Sequence, residues 1–294
     1  ARPPARAADR RPPAPQVLTD ACWALSYLSE PPERVQPGID AGVVPRLVEL
    51  LGHTNLLVQT PALRTVGNIC AQEAEQTQAV LDCGALPRLG ALLHSPKKEM
   101  RKEACWAVSN ITAGPTAQVE AACAAGLVPR LVELASEEEY EVKKEAAYAL
   151  CNCACSSSSA ALVGGLVDLG VLPPLLYLLD SPDAHLLLTS LDAIEAMLRA
   201  GAAAAGADAP PAANPIAALV READGVDYIE ALQEHENGEV YQKAAAIVDA
   251  FFGGDDEPED ALVAPAARAD GSGFAFGVAA VADGDAAPFS LHAG

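Results

Sequence analysis

The residues best suited to chemistry recur about every 42 positions as a large ring or a guanidinium followed, four positions later, by an amide or a phenol. Residues four apart lie on one face of a helix, so each such pair, here called a rung, presents both groups side by side. Leucine and alanine at this period would indicate core packing, whereas this series of rungs, here called the ladder, indicates binding. The rungs are Trp23/Tyr27, Arg64/Asn68, Trp106/Asn110 and Tyr148/Asn152.

An acidic residue stands three positions before three of the rungs, at Asp20, Glu103 and Glu145. Aromatic faces attract Lys and Arg side chains by ~0.5–2 kcal/mol per contact, and carboxylates bind their charged heads. The asparagine amide offers a donor and an acceptor, which pair with the C=O and N–H of an extended main chain. Stacked helices lie ~8–10 Å apart and an extended chain advances ~3.3 Å per residue, so neighbouring rungs match side chains two or three residues apart. The ladder therefore predicts a groove for a short basic peptide.

The alternative interpretation is that the rings belong to the core and the asparagines satisfy backbone groups between helices. The repeated carboxylate argues against it, since a core stripe does not tolerate repeated acids. Arg64 weakens the groove interpretation because it would repel a basic ligand, unless it pairs with an acidic part of the ligand or with a neighbouring acid. In the next unit the matching positions lie near Leu191 and Glu195, so the ladder ends there.

A second repeated segment predicts how the rungs are positioned. A glycine followed three positions later by Pro opens an apolar stretch at Gly42, Gly84, Gly126 and Gly170. Glycine permits the unusual φ of a sharp turn, and Pro is tolerated in the first turn of a helix. Helical units with a period near 42 residues are typical of armadillo repeats, which are stable only when stacked. We predict an all-α fold, a right-handed armadillo-repeat α-solenoid with disordered ends.

The period also divides the chain. We predict one partial and four full repeats over 17–201, a loop interrupting the period and a divergent final repeat, between an Arg/Pro-rich disordered segment and an acidic, Gly/Ala-rich disordered tail. The predicted bounds are 1–16 for the first segment, 17–30, 31–72, 73–114, 115–157 and 158–201 for the repeats, 202–213 for the loop, 214–253 for the final repeat and 254–294 for the tail.

Composition narrows the functional class. The net charge of −21 disfavours unselective binding to nucleic acid or anionic membranes and favours basic partners. The longest apolar stretch, 161–179, contains Asp168, Pro173 and Pro174, so we expect a soluble protein without a membrane span. The five histidines are scattered and no phosphate-binding glycine motif is present, which predicts no enzyme and no cofactor.

The eight cysteines show neither C-x-x-C spacing nor neighbouring histidines. In the run Cys151, Cys153 and Cys155 the middle residue points away from the other two on a helix, so a shared metal is not expected. We predict eight small buried residues in a reducing compartment and no metal site. The chain lacks an initial Met, which we interpret as a fragment, an incomplete gene model or a processed product.

The segments 17–29, 61–68, 102–114 and 235–243 resemble the C-terminal part of importin alpha (karyopherin alpha). The resemblance covers about 17–253. It implies an armadillo solenoid of the cytoplasm and nucleus that binds nuclear localisation signals, pairs with importin beta through an N-terminal basic segment, and is recycled by its own exportin. The family's minor signal-binding groove matches Arg64, Asn68, Glu103, Trp106, Ser109, Asn110, Glu145, Tyr148 and Asn152, with Trp23 and Tyr27 at its edge.

The resemblance also implies departures and further partners. Tyr148 replaces the usual Trp, which should weaken one pocket for Lys or Arg. The family's major groove and importin-beta-binding segment lie upstream of Trp23, and residues 1–16 hold no Lys cluster, so we expect the minor site without the importin beta link. The region resembling the exportin surface contains His235, Glu236, Tyr241, Lys243 and the acidic run Asp255–Asp260, for which a solvated helix end is the alternative.

Two other functions stay open at this point. One is a catenin-like armadillo scaffold, whose groove would be basic and would bind acidic ligands, unlike a stripe carrying Asp20, Glu103 and Glu145. The other is a non-functional fragment.

Overall fold

The computed structural model describes residues 15–156, 160–206, 209–210, 213–253, 266–267 and 274–275. The predicted all-α armadillo-repeat solenoid is confirmed. Sixteen α-helices in the described residues belong to one compact unit that ends at Phe251. They are α1 Pro15–Leu28, α2 Val35–Asp40, α3 Val44–Leu50, α4 Leu56–Cys70, α5 Ala74–Asp82, α6 Ala85–Leu93, α7 Lys98–Thr112, α8 Thr116–Ala124, α9 Val128–Glu137, α10 Tyr140–Cys155, α11 Ala160–Asp168, α12 Leu172–Tyr177, α13 Ala184–Ala205, α14 Pro215–Glu222, α15 Gly225–Ala231 and α16 Gly238–Phe251.

Three-residue 3-10 turns lie at Pro32–Arg34, Leu178–Asp180 and Leu232–Glu234. The second unit, Phe252–Gly294, contains an antiparallel pair of two-residue strands, β1 Ala266–Ala267 and β2 Phe274–Ala275. These four residues differ from the disordered tail predicted for 254–294. The rest of that tail and residues 1–14 lie outside the described residues.

Glycine turns separate the first and second parts of each repeat as predicted. The φ angles are 76° at Gly42, 75° at Gly84, 73° at Gly126 and 79° at Gly170, all in the left-handed region that glycine adopts without strain. The final repeat makes the corresponding turn at Asp224, with a φ of 54°. Asp is one of the few other residues that tolerate this conformation, so the turn survives without its glycine.

The rungs lie on the long helices α1, α4, α7 and α10, and each of these packs against the next. The stack continues as α10 packs against α13 and α13 packs against α16. Small and branched apolar residues make this close stacking possible. In α7, for example, Ala104, Cys105, Ala107, Val108 and Ile111 are buried while the rung residues Trp106 and Asn110 stay partly exposed. Stacking therefore lines up one face of successive helices and brings the rungs next to one another.

Two predicted boundaries are wrong. The helix α1 begins at Pro15, inside the segment predicted as disordered, because Pro is favoured in the first turn. The helix α13 continues to Ala205, four residues into the predicted loop 202–213, because alanine is the strongest helix former. The helix ends where Gly206 takes a φ of 108°.

None of the eight cysteines, all of which lie in the described residues, forms a disulfide, and not all of them are buried. Cys155 is exposed and Cys83 and Cys123 are partly exposed, which corrects the prediction of eight buried residues. The reason is position: Cys155 is the last residue of α10, where the helix end turns away from the core.

In the described part of the chain no single helix is long and apolar enough to cross a membrane. The helical segments Ala160–Asp168 and Leu172–Asp180 have the length and apolar composition of a membrane span only when they are counted together. The pair is bent by 81°.

Candidate functional site

The ladder asparagines bind the neighbouring helix in a repeated way. Nδ2 of Asn110 donates to the carbonyl oxygen of Gly67 at 3.2 Å, and Nδ2 of Asn152 donates to that of Ser109 at 2.9 Å. Nδ2 of Asn68 donates to the carbonyl oxygen of Ser26 at 3.1 Å and also to Oγ of Ser29 at 2.9 Å. The alternative interpretation of the asparagines, that they satisfy backbone groups between helices, thus holds for the amide nitrogen.

These hydrogen bonds determine which donor and acceptor groups of each amide remain available to a ligand. Asn110 and Asn152 each keep one N–H and the acceptor Oδ1, neither of which has a partner among the described residues. Asn68 has both N–H groups engaged and keeps only its acceptor. The bonds to the neighbouring helix hold each amide in one orientation, which is the condition for binding an extended main chain at low entropic cost.

Arg64 and Glu103 form a double hydrogen bond that crosses from α4 to α7. The distances are 2.6 Å from Nε to Oε2 and 2.5 Å from Nη2 to Oε1. The guanidinium carbon of Arg64 also lies 5.8 Å from the ring centroid of Trp106, within cation–π range. Arg64 therefore pairs with a neighbouring acid, and Glu103, which we predicted to bind a ligand cation, already binds this one.

Two side chains of the protein itself also lie close to the Tyr148 ring. Nζ of Lys144 lies 5.7 Å from the Tyr148 ring centroid, and the His185 ring centroid lies 5.6 Å from it at a tilt of 45°. Lys144 in turn forms an ion pair with Asp183, the residue that caps the start of α13. Burial raises the pKa of the Tyr148 phenol, an effect that the nearby Lys144 opposes.

Glu145 differs from the other ladder carboxylates. It lies partly buried on α10, on the same face as Tyr148 and Asn152, and no ion pair to it occurs among the described residues. Burial raises the pKa of its carboxyl, and the charges of Lys102 and Lys144 oppose that rise without cancelling it. A partly desolvated carboxylate beside aromatic rings is a strong site for an incoming cation.

The first rung is the most open. The rings of Trp23 and Tyr27 stack at a centroid distance of 5.9 Å and an angle of 27°, and the two side chains are 38% and 63% exposed. Asp20, one turn earlier, accepts a hydrogen bond of 2.9 Å from Nε2 of Gln16. This rung therefore offers an aromatic surface at the edge of the ladder.

Ser109 does not lie where we predicted it. Only 6% of the residue is exposed, and its hydroxyl donates to the carbonyl oxygen of Trp106 at 2.9 Å. Its contribution is the backbone carbonyl that holds Asn152. Ser109 thus positions Asn152 through its backbone carbonyl, and its buried side chain is not positioned to contact a ligand.

A pocket beside Asn110, lined by both polar and apolar residues, was not predicted from the sequence. It has a volume of about 270 Å³ and is lined by Cys70, Glu73, Thr77, Asn110, Gly114 and Pro115, among others. The lining comes from the end of α4, the start of α5 and the end of α7, so neighbouring repeats assemble the pocket and no single repeat indicates it. Glu73 and the carbonyl groups of a helix end make the pocket suited to a cationic side chain.

Some residues of the predicted exportin surface are exposed, and others are bonded to groups within the protein. His235 Nδ1 accepts the backbone N–H of Asn237 at 3.0 Å, which is a local bond at the start of α16. Glu236 is exposed and Tyr241 is 47% exposed. Nζ of Lys243 lies 2.5 Å from both Oδ1 of Asp192 and Oε2 of Glu195. The ladder thus ends in an internal ion cluster, with Leu191 buried beneath it.

Comparison with protein-family models gives two matches. The Armadillo/beta-catenin-like repeat model matches 31–71, 73–113 and 115–155, and the Atypical Arm repeat model matches 214–266.

Curated relatives cover most of the chain. Importin subunit alpha-4 of Arabidopsis thaliana is 45% identical over 245 residues, which is 83% of this chain and 46% of the relative. Importin subunit alpha-B of Dictyostelium discoideum is 56% identical over 262 residues, 89% of this chain and 49% of the relative. The chain thus spans about half the length of these relatives.

Solved structures of designed proteins are also similar. The designed armadillo repeat protein YIII(Dq)4CqI is 30% identical with a TM-score of 0.71, covering 82% of this chain and 96% of that one. Another designed armadillo repeat protein, solved in complex with the peptide (KR)4, is 32% identical with a TM-score of 0.70, covering 81% and 95%.

Proposed function

This chain belongs to the importin alpha family, matching its armadillo-repeat portion, and we propose on that premise that it is a nuclear import receptor without enzymatic activity. Its ligands are basic nuclear localisation signal peptides. They lie extended across the ladder, with the main chain on the asparagines and the basic side chains between the rings. A receptor of this kind operates in both cytoplasm and nucleus.

One observation carries the proposal: the partly buried Glu145, with no ion pair among the described residues, lies on the face that carries Tyr148 and Asn152. A Lys or Arg side chain placed between Trp106 and Tyr148 gains a ring on either side and a carboxylate for its charged head. The pocket lined by Glu73 and Thr77 accepts a second basic side chain, next to Asn110. The designed protein that resembles this chain and was solved with the peptide (KR)4 supports the same ligand class.

The internal ion pairs argue against an acidic ligand and so against the catenin-like scaffold. Such a scaffold needs unpaired cations along its groove. In the described part of the chain Arg64, Lys144 and Lys243, the cations on or beside the ladder, each pair with a carboxylate. The charge left for a ligand is negative, as at Glu145.

Calorimetry with a bipartite basic signal peptide tests the proposal. We expect weak binding to the wild-type chain and a loss of about 1–3 kcal/mol for Trp106→Ala, because a desolvated cation–π pocket is removed. Asn110→Ala should also weaken binding, since it removes the main-chain contacts.

A matched control separates binding from stability. Asn55 lies off the ladder and caps α4, its side chain accepting the backbone N–H of Leu57 at 3.0 Å. Asn55→Ala should cost about 1 kcal/mol of stability and leave peptide affinity unchanged. Unchanged affinity in both ladder variants, with circular dichroism showing an intact fold, would disprove the proposal.

Further partners follow from the same family. We infer that a recycling exportin binds near the start of α16, where Glu236 and Tyr241 are accessible while Lys243 is held by Asp192 and Glu195. Pull-down with wild type and Tyr241→Ala would test this. Importin beta pairing is implied in the family for a basic segment upstream of the repeats and is separate from the ladder.

A further inference from the structure

Gly67 lies in the interior of α4, where its lack of a side chain has no conformational purpose. It is buried in an α-helix and is not among the residues with positive φ. Glycine inside a helix costs roughly 0.5–1 kcal/mol relative to alanine. Any residue could adopt the backbone conformation found at Gly67. A glycine that destabilises the helix there must therefore have a packing reason.

The packing reason is Trp106. A Cβ atom built on Gly67 would lie 2.2 Å from Cζ3, 2.7 Å from Cε3 and 3.0 Å from Cη2 of the Trp106 indole. The six-membered ring therefore rests directly on the Gly67 Cα. Since apolar carbons need about 3.5–4.0 Å, a methyl group here would push the ring more than about 1 Å away from α4.

The backbone of Gly67 also holds the other half of the rung. Its carbonyl oxygen accepts Nδ2 of Asn110, four residues after Trp106 on the same helix. Because this bond fixes α7 against α4, the helix cannot simply move away to relieve a clash, and the indole itself must rotate. The corresponding positions beneath Asn68 and Asn152 are Ser26 and Ser109, which carry side chains.

We propose that Gly67 is the positioning residue of the ladder: it seats Trp106 against α4 and so fixes the place of the indole relative to Tyr148 and Glu145. The effect on a basic peptide rests on the proposed function, whereas the position of the indole does not.

Fluorescence tests the position of the ring without any ligand. The chain has two tryptophans, so Trp23→Phe leaves Trp106 as the only indole. In that background Gly67→Ala should raise the acrylamide quenching constant and shift the emission to longer wavelength, because the displaced ring is more exposed. Affinity for the basic signal peptide should fall roughly three- to tenfold, the range of a partly exposed cation–π contact.

Two variants act as controls. Gly164 lies within α11, and a Cβ built there meets no described atom within 4 Å. Gly164→Ala should raise Tm through helix propensity and leave quenching and affinity unchanged. In Gly67→Ala/Trp106→Phe the smaller ring does not extend to the positions of Cζ3 and Cη2, so the peptide affinity of this variant should match that of Trp106→Phe alone. Its Tm should equal or exceed that of Trp106→Phe, because alanine favours the helix over glycine.

The outcomes separate the two ideas. If the wild type binds no basic peptide, the proposed function fails while the quenching data still decide the role of Gly67. Quenching and emission in Gly67→Ala equal to those of its parent would overturn the proposal. If Gly67→Ala unfolds, recovery of Tm in Gly67→Ala/Trp106→Phe supports it, and unfolding of both contradicts it.

Discussion

Removing the Arg64 side chain should tighten the binding of a basic peptide to the ladder. Arg64 makes two hydrogen bonds to Glu103 and lies 5.8 Å from the Trp106 ring centroid, so it occupies the groups that a ligand cation would use. A peptide that places Lys at this rung must first displace it. In Arg64→Ala the ligand cation becomes the partner that Glu103 has lost.

The size of the effect follows from the exposure of the pair. The Arg64 side chain is 46% exposed and that of Glu103 15% exposed, so solvent screens much of their attraction. Such an ion pair contributes about 0.2–1 kcal/mol, and a cation–π contact at an exposed site about 0.5–1 kcal/mol. With the screening included, we expect a gain of about 1 kcal/mol, or roughly fivefold in Kd.

Calorimetry with a Lys-rich signal peptide at low and high salt measures this gain. The matched control is Arg46→Ala, which changes the net charge equally and removes an arginine that is 49% exposed, paired with Glu49 and located on α3, a helix that carries no rung. If Arg64→Ala binds no more tightly than Arg46→Ala, Arg64 does not compete with the ligand. If it binds more weakly, Arg64 is itself a ligand contact and our reasoning about this rung is wrong.

Two further predictions concern titration and capping. Because burial raises the pKa of Glu145, peptide affinity should fall with decreasing pH at a higher pH than for an ordinary Glu, and Glu145→Gln should abolish that part of a profile measured by anisotropy from about pH 4 to pH 8. The hydrogen bond from Lys144 lowers the pKa of Asp183, so the stability from this pair is present above the unfolded pKa and is lost as pH falls through the lowered folded value. In thermal melts at neutral pH, Asp183→Asn should lose only the ion pair, whereas Asp183→Ala should lose about 1 kcal/mol more because the cap of α13 disappears; equal losses would show that the cap is not important.

The repeat architecture was predictable because its signals are local. The glycine turns depend on one φ angle each, and the apolar helices on the spacing of their own residues. The repeated Pro-Arg sequence shows where local signals end. Nε of Arg130 donates to the carbonyl oxygen of Leu93 at 3.3 Å, at the end of the second helix of the preceding repeat. Which helix end an arginine reaches depends on how the repeats stack, and a single repeat does not contain that information.

The same limit applies to the site. The ladder residues could be chosen from type and period, but the hydrogen-bond partners of Arg64, Asn68, Asn110 and Asn152 lie on a neighbouring helix about 40 positions away. A cation precedes an acid by 39 residues in Arg64/Glu103, Lys102/Glu141 and Lys144/Asp183, and all three pairs are ion pairs in the structure. That spacing was present in the sequence and would have indicated that Glu103 is occupied.

Under the proposed function, the ion pairs and hydrogen bonds that the ladder carboxylates already make decide which of them selects the ligand. Among the carboxylates on or following the ladder, Asp20 is bonded to Gln16, Glu103 to Arg64, and Glu195 to both Arg199 and Lys243. A ligand cation at Glu103 or Glu195 must break an existing ion pair, so the net gain there is small. Glu145 forms no ion pair among the described residues. Its partial burial strengthens the attraction between its carboxylate and a ligand cation. Under the proposed function, recognition would therefore depend chiefly on one cation held at Glu145 between Trp106 and Tyr148, with the asparagine amides setting the register of the bound peptide on either side.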